Sequence, residues 1–157
     1  MPAAADFVLI RQTLAASAEA VFDAWVTPSI MKRWMFISDD GDNDIYKVQT
    51  DLRVGAAYSI LEWTGSEDID HFGHYREIDR PHRLAFSLES PKHFKGRTSV
   101  TVTIEPQGSL TLLTFRQAGI GPSVVGKPWS RMFDMLAQLL GDDRKAKVRG
   151  VSVEGIG

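Results

Sequence analysis

Apolar residues first alternate, then cluster at helical spacing, then alternate again over a long middle stretch before one last helical stripe. Phe7 to Thr13 reads as a first strand. Ser17 follows as an N-cap, and Glu19 lies in the first turn, where a negative charge meets the positive end of the helix dipole. Val21, Phe22 and Trp25 fall at i, i+1 and i+4 and form one apolar stripe. Thr27-Pro28 ends this helix, because the residue before proline avoids the helical region, and the same pair opens a second one. Ile30, Met31 and Trp34 form the apolar face of that second, short helix.

From Ile45 to Gln117 the period changes to two. Strands are predicted at 45–50, 56–63, 69–78, 83–89, 97–105 and 109–117, separated by turn signals at Gly55, Gly65, Arg80-Pro81 and Gly108. Connections this short cannot be parallel crossovers, so the strands run as antiparallel hairpins. The last element is a helix from Pro128 to Leu140, or from Pro122 with a kink near Pro128. Trp129, Met132, Phe133, Leu136, Leu139 and Leu140 recur along it at three- and four-residue steps, with Gly141 as its stop.

The order implies an α+β fold: a curved antiparallel sheet of six to seven strands, two short helices, and a long C-terminal helix across the concave face. A twisted sheet curls, and one helix covers the middle of its hollow side while leaving space at the ends. A cavity between sheet and helix is therefore expected, walled by Trp34, Tyr58, Tyr75, Phe86, Phe115, Trp129, Phe133 and Leu136. Taken singly, each of those residues reads as core packing before ligand contact, so topology carries the expectation more than the aromatics do.

Composition narrows the field. The chain has 157 residues, 43% of them hydrophobic and 24% charged, which suits one domain over 1–157 with a core at about 7–141 and a mobile tail at 142–157. A net charge of −2 lacks the basic footprint of nucleic-acid binding, and the apolar runs are too short to span a bilayer. The first residues lack the pattern of a signal peptide and there is no cysteine, so a cytoplasmic protein without disulfides is expected.

Few motifs carry chemistry. Residues 121–128 nearly match a phosphate-binding loop, but Pro128 replaces the hydroxyl residue and the parallel setting is missing. The acidic stretch Asp39 to Asp44, counted from Asp40, departs from a calcium loop at its sixth position, Ile45, and its twelfth, Asp51, and reads as a solvated acidic loop. His71 and His74 point to opposite faces of a strand, and His82 and His93 sit near turns without ligand-type partners, so neither metal nor cofactor is expected. Glu77 is the single catalytic candidate: alternation places it on the same face as Tyr75, where a buried carboxylate serves as an ion-pair partner of Arg53 or Arg83 or as a polar anchor for a ligand.

Four stretches resemble a known family. They are Val21-Phe22-Asp23-Ala24-Trp25 with Pro28 and Trp34; Asp51-Leu52-Arg53-Val54-Gly55 with Tyr58; Gly73-His74-Tyr75-Arg76-Glu77-Ile78 with Pro81, Arg83, Leu84 and Phe86; and Trp129 with Phe133, Asp134 and Leu136. Together they resemble the family named after the activator of heat-shock-protein-90 ATPase, within the helix-grip superfamily of lipid-transfer and birch-pollen-allergen-like domains. Ala56 departs from the family's pattern, which has a second glycine there. The resemblance implies a helix-grip fold and leaves three functions open. The first is a module that binds a small hydrophobic molecule. The second is a protein that docks on the heat-shock chaperone, less favoured because known activators carry a further N-terminal domain. The third is an enzyme of cyclase, dehydratase or hydrolase type, which needs at least two converging polar groups where only Glu77 is nominated. A homodimer is a further expected partner.

Overall fold

The computed structural model describes residues 6–38 and 41–140. Strand β1 (Phe7–Leu14) leads into helices α1 (Ala18–Val26) and α2 (Pro28–Met31). Strands β2 (Asp44–Thr50), β3 (Ala57–Trp63), β4 (Asp68–Asp79), β5 (Arg83–Leu88), β6 (Thr98–Gln107) and β7 (Leu110–Ala118) follow, and helix α3 (Pro122–Leu139) comes last. The strands form a seven-stranded sheet in the order β1-β7-β6-β5-β4-β3-β2, with every neighbouring pair antiparallel. The first strand thus closes against the last, from Phe7 opposite Ala118 to Leu14 opposite Thr111. This is the α+β helix-grip architecture that the sequence implies.

Local chemistry explains the elements. The Ser17 hydroxyl accepts from the Ala20 N–H and caps α1, while Pro28 occupies the first turn of α2, where its missing N–H costs nothing. Gly108, at φ +65°, turns β6 into β7 through a two-residue loop. Helix α3 begins at Pro122 and runs through Pro128, so the near-match to a phosphate loop lies inside a helix. Its Val125, Trp129, Met132, Phe133, Leu136 and Ala137 are buried on one stripe against the sheet and α1. Gly141 and residues 142–157, where a helix stop and a tail were expected, lie outside the described residues, as do Asp39 and Asp40 of the acidic stretch. Among the described residues, no helix is long and apolar enough to cross a membrane.

Strand β4 bends the sheet. Its first half, from Asp68 to His74, pairs with β3, whereas from Tyr75 onward it pairs with β5, and the β4–β5 register slips between Tyr75 and Glu77. At the bend β5 crosses so close that a Cβ on Gly73 would fall inside the Ser87 carbonyl. Glycine is therefore required there by close approach rather than by turn geometry. Gly126 differs: it sits in α3 with ordinary contact space for a methyl group. Gly73→Ala is expected to lower unfolding free energy by at least about 3 kcal/mol, and Gly126→Ala to raise it by up to about 1 kcal/mol. Urea unfolding of the two variants checks both signs.

Candidate functional site

The inner face of the sheet has two different regions. Its centre is full. Trp25 meets Trp34 edge-on at 4.8 Å, and Phe115 lies 4.4 Å from Trp129, with Phe133 within 6.3 Å of all four rings. The Trp34 indole N–H donates to the Ala24 carbonyl at 2.9 Å, and that of Trp129 donates to Gln117 Oε1 at 2.9 Å. Tyr58 donates to the Ser87 carbonyl at 2.6 Å, and Tyr75 shares a 2.7 Å bond with Thr50. Burial raises both phenols above their ordinary pKa. The space left among Trp25, Met31, Tyr58, Tyr75, Phe86 and Trp129 is about 20 Å³, room for a single water.

A larger cleft, of about 260 Å³, opens at one end of the sheet. Residues 36–38 with Asn43, the ends of β3 and β4, the loop after β5 and the first half of α3 enclose it. Phe36, Phe94, Val125, Trp129 and Met132 supply apolar walls, and one wall carries a buried polar chain. Ser90 Oγ lies 2.7 Å from His71 Nδ1, and His71 Nε2 lies 2.9 Å from Glu62 Oε1. The Asn43 side-chain amide donates to Glu62 Oε2 at 2.7 Å and to the Phe36 carbonyl at 2.6 Å, while its oxygen accepts from the Ser38 N–H at 2.8 Å. Asn43 thus ties the 36–38 segment to the carboxylate. Phe36, held at φ +59°, stacks its ring on His71 at 3.7 Å and 4°. A bulky residue in that conformation is strained and held by its surroundings, a condition frequent at binding sites.

Burial pushes the His71 imidazole below its ordinary pKa, and Glu62 only partly opposes this. Burial also pushes the Glu62 carboxyl up, but hydrogen bonds from His71 and Asn43 outweigh it and hold the group below the ordinary value. At neutral pH the pair is a neutral imidazole beside a carboxylate. A carboxylate only accepts, so His71 Nε2–H donates to Glu62 and Nδ1 accepts from Ser90; the tautomer is assigned from this network. An imidazole fixed in this way can exchange a proton with Ser90.

The nominated residues scatter over both regions. Trp34, Phe115, Phe133 and Leu136 are at most 1% exposed and line neither space. Tyr58, Tyr75 and Phe86 border the small one, and Trp129 alone borders both. Glu77 is a correction. The register slip after Tyr75 turns it outward, where its half-exposed carboxylate meets Arg83 at 2.8 Å, and Ile78 instead packs towards the core. Arg53 pairs with Asp51. His93 is a second correction. Its ring stacks 5.6 Å from that of His71 at 11°, and the ligating atoms of Glu62, His71 and His93 all lie within 4.8 Å of one another. Glu62, Ser90 and Asn43 were not nominated, although Glu62 shares a face with Tyr58 and Ile60 by simple alternation.

A family model described as "Activator of Hsp90 ATPase homolog 1-like protein" matches residues 15–141. The chain belongs to this family. Solved structures agree with the AHSA1-like fold. A protein from Chromobacterium violaceum is 22% identical, with 88% of this chain and 99% of that one covered and a TM-score of 0.76. The AHSA1-like protein from Aeromonas hydrophila gives 20%, 90%, 94% and 0.71, and CalU16 from Micromonospora echinospora 23%, 91%, 80% and 0.65. At these identities the likeness shows the AHSA1-like fold alone. No curated protein matches this sequence.

Asn43 makes three hydrogen bonds that join an otherwise irregular segment to a buried charge. Asn43→Ala is expected to lower stability by about 1–3 kcal/mol, read by urea unfolding. A curve superimposing on that of the unaltered chain would remove the clamp role.

Proposed function

We propose that this AHSA1-like protein binds a small molecule with an apolar body and a hydroxyl or amine end, seated in the cleft beside Glu62 and His71. One observation carries the reading: a cleft of about 260 Å³ combines apolar walls with a buried carboxylate hydrogen-bonded to a neutral imidazole. Small-molecule sites share that composition, mostly greasy with a few fixed polar groups, and the volume lies just below their usual range, which favours a small ligand. The polar end follows from what the cleft offers. Glu62 retains lone pairs beyond those that His71 and Asn43 occupy. Pro128 has no N–H, so the Val124 carbonyl loses its helical donor in a stretch of α3 that borders the cleft. Both are acceptors, and both suit a ligand that donates. The aromatic centre, with room for one water, supports no ligand of its own.

2-Naphthol serves as a probe, followed by calorimetry and by amide shifts in NMR. Saturable binding is expected to move residues around Phe36, His93 and Val124. Val124→Trp fills the mouth of the cleft from a half-exposed helical position and is expected to weaken binding by at least about 10-fold with little change in melting temperature. Blocking the donor as 2-methoxynaphthalene is expected to cost about 10-fold as well. Shifts confined to other surfaces, or a Val124→Trp affinity equal to that of the unaltered chain, would overturn the reading.

A further inference from the structure

We propose that Glu62, His71 and His93 form a site for one divalent transition-metal ion of zinc's kind, with an open coordination position facing the cleft. Two imidazoles and one carboxylate are a ligand set that zinc takes in catalytic-type sites, leaving the fourth position for water or substrate. The three ligating atoms already lie within 4.8 Å of one another. Tetrahedral bonds of about 2.0–2.1 Å hold such atoms roughly 3.3 Å apart, so His71 Nε2 and Glu62 Oε1, now at 2.9 Å, open slightly while His93 closes by up to about 1.5 Å. Two of the ligands are fixed and one is adjustable. Glu62 and His71 come from adjacent strands and are buried, whereas His93 is exposed in the loop between β5 and β6.

The outer shell that orients metal ligands is in place. Ser90 holds His71 Nδ1 at 2.7 Å, which leaves Nε2 for the ion, and Asn43 holds Glu62 Oε2 at 2.7 Å, which leaves Oε1. The backbone N–H of His93 donates to the Ser90 carbonyl at 2.7 Å, so the third ligand and an outer-shell partner share one turn. On binding, the ion replaces the hydrogen bond between His71 and Glu62. The ring proton moves from Nε2 to Nδ1 and donates to Ser90 Oγ, with no proton lost from the imidazole. The low pKa directions at His71 and Glu62 agree with a neutral imidazole and a charged carboxylate, the forms a metal requires. One carboxylate against two positive charges leaves the ion with a net +1, suited to the hydroxyl oxygen or amine nitrogen of a ligand in the cleft. The site shares its cleft with the ligand reading, but metal uptake does not need an organic ligand.

The untagged full chain, stripped with chelator, is titrated with zinc by calorimetry and with cobalt(II) by visible absorption. One equivalent is expected to bind, with the d–d bands of tetrahedral cobalt and a melting temperature about 5–10 °C higher at 100-fold excess over Kd. His93→Ala removes an exposed side chain and is expected to weaken zinc by more than about 100-fold, beyond what outer-shell changes cost. Glu62→Gln is expected to do the same, and His82→Ala, at another exposed histidine, is expected to change nothing. No uptake by the unaltered chain, or equal uptake by His93→Ala, overturns the metal site. Uptake without a response to 2-naphthol supports the metal site and counts against the ligand reading. A response to 2-naphthol by protein that takes up no zinc in the titration overturns the metal site alone.

Discussion

Ring packing at the centre of the sheet sets the terms for the rest of this protein. Trp25, Trp34, Phe115, Trp129 and Phe133 come from α1, the turn after α2, β7 and α3, and their mutual contacts fasten these segments together. Aromatic pairs in such geometries contribute about 0.5–1.5 kcal/mol each beyond burial of their area. Because the rings close the middle, whatever volume remains under α3 is displaced to the end where the helix begins. The name of the helix-grip fold suggests a hollow held between helix and sheet; here the grip is solid at its centre and open at one end.

The polar chain at that end runs against the ordinary economy of a protein interior. Burying a carboxylate is unfavourable unless hydrogen bonds satisfy it, and Glu62 meets that condition through His71 and Asn43. Replacing such a pair by apolar residues is often neutral or stabilising, so stability by itself does not explain its presence. The chain runs from Ser90 through His71 and Glu62 to Asn43 and on to the strained Phe36. It therefore links four separate parts of the sequence around one wall, a pattern that suits a site more than a scaffold.

Much of the fold was legible from patterning. Each strand end lies within two residues of its expected place, because alternation and glycine turns report local geometry. The site was only partly legible. Reading alternation forward from Tyr75 points to Glu77, yet a bulge cancels it there, and no residue type signals the slip. Reading backward from Tyr75 through Gly73 arrives at His71, which is buried, and the same rule applied to Tyr58 and Ile60 arrives at Glu62. That signal was present. The approach of His93 and Asn43 was not, since both sit in irregular segments whose position depends on contacts far away in sequence.

The slip in β2, between Ile45 and Lys47, has an effect outside the molecule's own interior. Among the described residues strand β2 ends the sheet, so one row of its backbone N–H and C=O groups has no strand of that sheet beside it. Such an edge invites another chain to add on, and the usual protections are a kink and a charge. The register shift supplies the kink and the exposed Asp44 and Lys47 beside it supply the charge, which discourages strand addition between copies.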